Sequence, residues 1–269
     1  IIDGNSDGLI GFHFQNYDQG ALGQEESHLV HTRTSSFALF ALESFNFVLF
    51  DLDVGGRLES VNLKNTSLEK GFFPSAFSST IKRKIFNNSN AFAGFDFTER
   101  APNAVELFAN GPHHAQEQFE VGQSTMSVET SYNFSLGYSY TDGLDILKVE
   151  TYYNYIDDFI AADRDGTTTV VEGEDMNNVN FTQYNALFTG LEVSGQYAFA
   201  KINDFDIISS FMMDFLKGYR TSNDKALSRI PQTKINFGIQ AINEDWDANL
   251  GYYHYFDKDF TGPFQTRTG

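Results

Sequence analysis

The segment Tyr132 to Tyr140, YNFSLGYSY, constrains the fold most strongly, because its side chains alternate between two kinds. Tyr and Phe or Leu occupy the even-numbered positions, and Asn, Ser and Gly occupy the odd-numbered positions between them. Successive side chains of a β-strand point to opposite faces of the sheet. The segment therefore predicts a strand with one apolar, aromatic face and one small, polar face.

The same two-residue period recurs in other parts of the chain. Its apolar members include Leu52, Val54 and Leu58; Leu191, Val193, Tyr197 and Phe199; and Ile235, Phe237 and Ile239. Aromatic residues make up 16% of the chain, with 28 Phe and 13 Tyr, and this composition favours strands. We predict an all-β, antiparallel fold.

The lengths of the connections indicate which all-β fold this is. The predicted strands lie near residues 8–17, 33–44, 47–60, 74–86, 91–100, 125–140, 146–158, 184–199, 205–216, 233–241 and 246–256. Short turns alternate with long connections, which lie near 18–32, 61–73, 101–124, 159–183 and 217–232. Outer-membrane barrels have short periplasmic turns and long extracellular loops. A soluble β-sandwich also has two-faced strands, but it does not require every long connection at one end, so the pattern favours a transmembrane β-barrel.

Charge and composition argue against several other classes of protein. The formal net charge of -18 disfavours binding to nucleic acid phosphates. Cysteine is absent, which excludes disulfides and thiolate metal sites. No apolar run approaches the roughly 20 residues that a transmembrane helix needs. The sequence also shows no catalytic motif, and we do not expect an enzyme.

One long connection carries a motif that points to a family. The stretch Arg100 to Gly122, RAPNAVELFANGPHHAQEQFEVG, together with YYNYIDDFI at Tyr152 to Ile160 and LSRIPQTKINFG at Leu227 to Gly238, resembles the barrels of TonB-dependent outer-membrane receptors. The resemblance is strongest to the branch that takes up zinc and similar metals. Its motif positions in the first stretch are Arg100, Pro102, Glu106, Leu107, Gly111 and Pro112.

The resemblance implies a location, an architecture and a set of partners. Such receptors lie in the bacterial outer membrane and form a barrel of about 22 strands closed by a separate N-terminal plug. Residues 1–269 would then be the C-terminal part of that barrel, with about 11 strands, and the plug and the last strand would lie outside this chain. The implied partners are outer-membrane lipid, the TonB complex through the plug, and a metal or metal chelate.

The implied function is uptake of a scarce metal such as zinc, or of a metal complex, with energy from the TonB system. No tightly bound cofactor is expected, and the zinc or other metal ion would be cargo. The alternatives are a siderophore or haem receptor, a passive porin or adhesin barrel, and a soluble β-sandwich binding module.

Candidate metal ligands lie in the same motif. They are His113, His114, Glu117 and Glu120. Neutral imidazole and carboxylate oxygen suit zinc and other transition ions, although the two imidazoles could instead only order the loop. Weaker candidates are His28 with His31, and His254 with Asp257 and Asp259.

A second long connection, near 159–183, is acidic. Its carboxylates are Asp163, Asp165, Glu172, Glu174 and Asp175. An extracellular acidic loop could attract cations before their capture, or it could only keep the surface soluble.

Overall fold

The computed structural model describes residues 2–20, 28–257 and 262, and these residues form a large antiparallel sheet. Its strands are β1 (Ile2–Gln19), β2 (Thr32–Phe47), β3 (Asp51–Lys64), β4 (Glu69–Phe72), β5 (Ser75–Phe86), β6 (Ser89–Arg100), β7 (Asn110–His113), β8 (Gln118–Val121), β9 (Glu129–Asp142), β10 (Asp145–Val171), β11 (Glu174–Ile202), β12 (Phe205–Arg220), β13 (Lys234–Ile242) and β14 (Asp247–Tyr255). The described helical segments are α1 (Ala104–Phe108) and one 3₁₀ turn (His114–Gln116), and neither has the length or apolar character to cross a membrane.

Eleven strands follow one another in a single antiparallel path, as the sequence predicts. The order is β1-β2-β3-β5-β6-β9-β10-β11-β12-β13-β14, with β4, β7 and β8 attached beside it. The first and last strands of this path, β1 and β14, are not paired with each other within the described residues. The sheet is therefore open, and the fold class is that of a barrel wall.

The prediction of a long connection at 159–183 is wrong, because these residues are mostly strand. β10 and β11 continue far beyond their neighbours, and only Glu172 and Gly173 lie between them. Both residues have positive φ, 52° and 88°, as in a two-residue type I′ hairpin turn. The carboxylates suggested a loop, but residues 167–171, Thr-Thr-Thr-Val-Val, are β-branched and favour a strand.

One face of the sheet is apolar and exposed. On β1, Ile10, Phe12 and Phe14 are 86%, 73% and 63% exposed. The same face continues across the sheet, with Phe134 and Leu136 on β9 and Tyr197 and Phe199 on β11 also exposed. A soluble monomer rarely exposes so large an apolar surface, whereas a lipid-facing barrel wall requires one.

The opposite face carries charge. Glu150, Glu192 and Asp214 lie side by side at one level of β10, β11 and β12, and the Lys234 ammonium is 2.9 Å from the Asp214 carboxylate. Like charges placed directly opposite each other on adjacent strands are destabilising, so this row suits a wet or partnered lumen and not lipid.

All the longer connections lie at one end of the sheet. This long-loop end is formed by the connections at 28–31, 65–74, 101–128 and 221–233 and by the extended part of the β10–β11 hairpin, and the turns at the other end are short. A compact core lies at the long-loop end. Its buried members are Leu29, Leu63, Ala104, Leu107, Phe108, Met126 and Ile160.

Candidate metal centre

The connection from β6 to β9 begins with a capped helix. Asn103 is the N-cap of α1, and its side-chain oxygen accepts a hydrogen bond from the Glu106 N–H at 3.0 Å. The Glu106 carboxylate accepts in return from the Asn103 N–H at 2.7 Å. This reciprocal capping box explains why a helix of only five residues forms here, although the strand pattern of the sequence did not predict a helix.

Two of the predicted motif positions are buried around this helix. Pro102 is among the most deeply buried side chains, and Leu107 is 2% exposed in the core. Arg100 lies outside that core but donates to two carboxylates. Its guanidinium contacts Glu106 at 2.9 Å and Glu129 at 3.2 Å.

After α1 the chain forms a small hairpin. β7 and β8 are antiparallel, with Gly111 opposite Glu120 and His113 opposite Gln118. β8 also pairs in parallel with residues 177–180 of β11. The hairpin is therefore fixed to the sheet through the upper part of β11, and Gly111 and Pro112 are buried within it.

The hairpin brings His113 and Glu120 together. His113 Nδ1 lies 2.9 Å from Glu120 Oε1, at hydrogen-bond distance. The two residues are diagonal neighbours on one face of the hairpin, because His113 is opposite Gln118 and Glu120 follows two positions later.

His28 completes the group from a different connection. The His28 carbonyl accepts from the Asn110 N–H at 2.8 Å, and the neighbouring Leu29 forms a β-bridge with Ala109. The His28 and His113 rings stack with centroids 4.8 Å apart and planes only 4° apart. One potential ligand atom from each of His28, His113 and Glu120 lies within 4.8 Å of the other two.

The Glu120 carboxylate has an unused oxygen. Its side chain is 8% exposed, and its Oε2 atom is buried without a hydrogen-bond partner. A buried carboxylate oxygen without a partner is costly. A bound cation would remove that cost.

Two imidazoles and one carboxylate form a donor set that zinc and similar ions accept. Tetrahedral zinc with bonds of about 2.0–2.2 Å places its ligand atoms about 3.4 Å apart. The potential ligand atoms here are at most 4.8 Å apart, so small side-chain rotations would bring them to the spacing that a zinc ion requires. Three protein ligands leave one position for water or another donor.

The other predicted ligands are not in this group. His114 begins the 3₁₀ turn and Glu117 ends it, with Glu117 exposed and at a left-handed φ of 51°. Of the weaker candidates, His31 is 3.9 Å from Asp18, and the His254 ring contacts Tyr252 and Phe256. Asp259 lies outside the described residues.

The predicted acidic loop is a strand hairpin. Asp163 and Asp165 belong to β10, Glu174 and Asp175 belong to β11, and Glu172 is in the turn. The Thr167 hydroxyl and N–H donate to the Asp165 carboxylate at 2.6 and 2.8 Å and, with the side chain of Asn180, lower its pKa. Asp163 is paired with the Arg220 guanidinium, so part of this negative charge is already neutralised.

Comparison with known families settles the identity of the barrel wall. Residues 3–269 match the family described as TonB dependent receptor-like, beta-barrel. The chain belongs to this family. Its members are transport receptors of the bacterial outer membrane, in agreement with the exposed apolar face, and the long-loop end is the extracellular end in such barrels.

Solved structures share the fold at low sequence identity. The copper transporter OprC aligns with 96% of this chain at a TM-score of 0.75 and 17% identity, and 41% of OprC is covered. The FrpB iron transporter from Neisseria meningitidis aligns with 91% of this chain at a TM-score of 0.59 and 11% identity, and 39% of FrpB is covered. The haemophore receptor HasR from Serratia marcescens, in complex with HasA and heme, aligns with 91% of this chain at a TM-score of 0.64 and 13% identity. The alignment covers 48% of HasR. The chain thus spans less than half of each.

Proposed function

We propose that residues 1–269 are the C-terminal part of the barrel of a TonB-dependent receptor that takes up a transition metal ion such as zinc, or a small complex of that ion. Eleven sequential strands are about half of a receptor barrel of about 22 strands. The edges β1 and β14 need further strands, because open sheet edges are not tolerated in lipid. A plug and a contact with TonB belong to the whole receptor in this proposal.

The observation that carries the metal assignment is the group of His28, His113 and Glu120. Two imidazoles and a buried carboxylate oxygen without a partner converge at the extracellular end of the barrel wall. In this proposal the group captures the ion and the whole receptor transports it. The charged face below it, with Glu150, Glu192 and Asp214, gives a cation an electrostatically favourable path along the lumen.

Zinc titration of the purified full-length receptor tests this function. We expect His113→Ala and Glu120→Gln each to weaken zinc binding by about 10-fold or more, since even residues that only support metal ligands typically contribute 10–100-fold. His31→Ala is the matched control, because His31 lies in the same connection as His28 but outside the group. Asp165→Ala controls for general loss of negative charge.

Uptake of radioactive zinc into cells, with and without TonB, connects binding with transport. Equal zinc affinity and uptake in the wild type and in both ligand variants would refute the metal assignment. Titrations with a ferric siderophore and with haem separate the alternatives. Haem iron also accepts a histidine ligand, so loss of haem binding in His113→Ala without loss of zinc binding would favour a haem receptor.

A further inference from the structure

Arg100 joins the two ends of the connection from β6 to β9, which carries the hairpin of β7 and β8 with the candidate ligands His113 and Glu120. It is the last residue of β6 and stands directly opposite Glu129, the first residue of β9. Its Nε and Nη2 atoms both donate to the Glu129 carboxylate at 3.2 Å. Its Nη1 atom donates to the Glu106 carboxylate of α1 at 2.9 and 3.2 Å. One guanidinium thus fixes α1 to the top of the barrel wall.

Both carboxylates also accept other hydrogen bonds. Glu106 also accepts from the Asn103 N–H and thereby caps α1, and Glu129 Oε2 accepts from the Ile160 N–H of β10 at 2.7 Å. Their side chains are only 12% and 14% exposed. Removing the guanidinium would leave two nearly buried negative charges close together, which drives them apart or toward water.

The position of α1 determines where the three ligands lie. The Gln123 N–H donates to the Glu106 carbonyl at 2.8 Å, and the Gly122 N–H donates to the Ala109 carbonyl at 2.7 Å, so the end of β8 is bonded to α1 and to the residue after it. The bridge from Leu29 to Ala109 brings His28 to the same place. The hairpin with His113 and Glu120 is therefore hydrogen-bonded to α1 and the residue after it, and His28 is held beside the hairpin by the bridge.

We infer that Arg100 is a positioning residue for the metal centre: by bonding Glu106 and Glu129 together it sets α1 at the height where His28, His113 and Glu120 converge. The inference rests on the proposed function. The barrel wall does not depend on this contact, because β6 and β9 remain paired along the twelve residues from Ser89 to Arg100.

The test uses the full-length receptor with Arg100→Lys and Arg100→Ala. A lysine keeps the positive charge but cannot bond two carboxylates with a planar fork. We expect zinc affinity to fall by about 10-fold or more in Arg100→Ala, and by less in Arg100→Lys. We also expect the visible absorption spectrum of bound Co²⁺ to change in both variants, because the geometry of the ligands changes. Heat-modifiability on gels should stay that of a folded barrel.

Arg220→Lys is the matched control. Arg220 is another half-buried arginine at the long-loop end, paired with Asp163 and stacked 3.7 Å above the Tyr184 ring. These two partners belong to β10 and β11 and not to α1 or to the three ligands, so replacing Arg220 should leave zinc affinity and the Co²⁺ spectrum unchanged. If Arg100→Ala fails to fold, Arg100→Lys and Glu106→Gln provide the same comparison.

The outcomes separate the inference from the proposed function. If His113→Ala lowers zinc affinity but the Arg100 variants keep wild-type affinity and spectrum, the positioning role is refuted and the metal centre remains. If Arg220→Lys has the same effect as Arg100→Lys, a general loss of stability explains the result and the inference is also refuted. If His113→Ala itself has no effect, the metal function is refuted.

Discussion

At the scale of single residues, Gly122 is where the hairpin of β7 and β8 meets α1. A Cβ atom added there would lie 2.8 Å from three backbone atoms, Ala109 N, Leu107 C and Phe108 N. Backbone atoms cannot move aside as a flexible side chain can, so any larger residue must separate the hairpin from the helix. Glycine is therefore required here by close approach of two chain segments.

We predict that Gly122→Ala destabilises the connection by about 1–3 kcal/mol, the usual cost of overpacking, and weakens zinc binding. Hydrogen exchange of the amides of residues 106–123 measures the first effect, and zinc titration measures the second. Gly56→Ala is the control, because a Cβ at Gly56 meets nothing within 4 Å. Equal exchange rates in the wild type and Gly122→Ala would contradict the prediction.

The sequence predicted part of the candidate site. His113 and Glu120 were identifiable because both lie in one motif, and a short hairpin joins residues seven positions apart. His28 was only a weak candidate, since its approach depends on the bridge from Leu29 to Ala109 across 80 positions of the chain. Local patterns carry no information on such a contact. His114 and Glu117 matched the chemistry but are placed by the 3₁₀ turn, which the strand pattern does not show.

At the scale of elements, the long β10–β11 hairpin shows where sequence patterning fails. The eleven barrel strands followed from alternation, because each has one face toward an apolar phase. Above that phase apolar and polar residues of β10 and β11 no longer follow a regular two-residue period, so the alternation disappears although the strands continue. The bulge between Ile156 and Phe159 marks this transition, with Asp158 at a φ of 54°.

The tip of this hairpin gives a second prediction. Glu172 has a φ of 52°, where residues other than glycine and asparagine are strained, and Gly173 follows it. Glu172→Asn creates the Asn-Gly pair that type I′ turns favour, and we expect the hairpin to gain about 0.5–1 kcal/mol. Slower hydrogen exchange at Thr168 to Asn177 would show it. Glu174→Asn removes the same charge from a strand position and should give no gain; equal protection in both variants would contradict the turn-based explanation.

At the scale of the whole molecule, the two faces of the sheet are the property that adapts it to a membrane. Val193 lies level with Val149 on β10 and Met213 on β12, all on the apolar face. Its neighbour Ser194 lies level with Lys148 and belongs to the opposite, charged face. Val193 and Ser194 are adjacent in one strand and thus face lipid and lumen, respectively, at almost the same depth in the membrane.

This juxtaposition permits a matched test of the whole architecture. Near the bilayer midplane an arginine on the lipid face costs about 2–4 kcal/mol, whereas lumen positions tolerate charge. We therefore expect Val193→Arg to lower the free energy of unfolding of the full-length receptor in lipid vesicles by about that amount, and Ser194→Arg to have little effect. Both changes add the same charged side chain to the same strand, so the change in net charge cancels in the comparison. Equal losses in a urea titration at both positions would mean that the two faces of β11 do not contact different solvents, and the assignment of lipid and lumen sides would have to be abandoned.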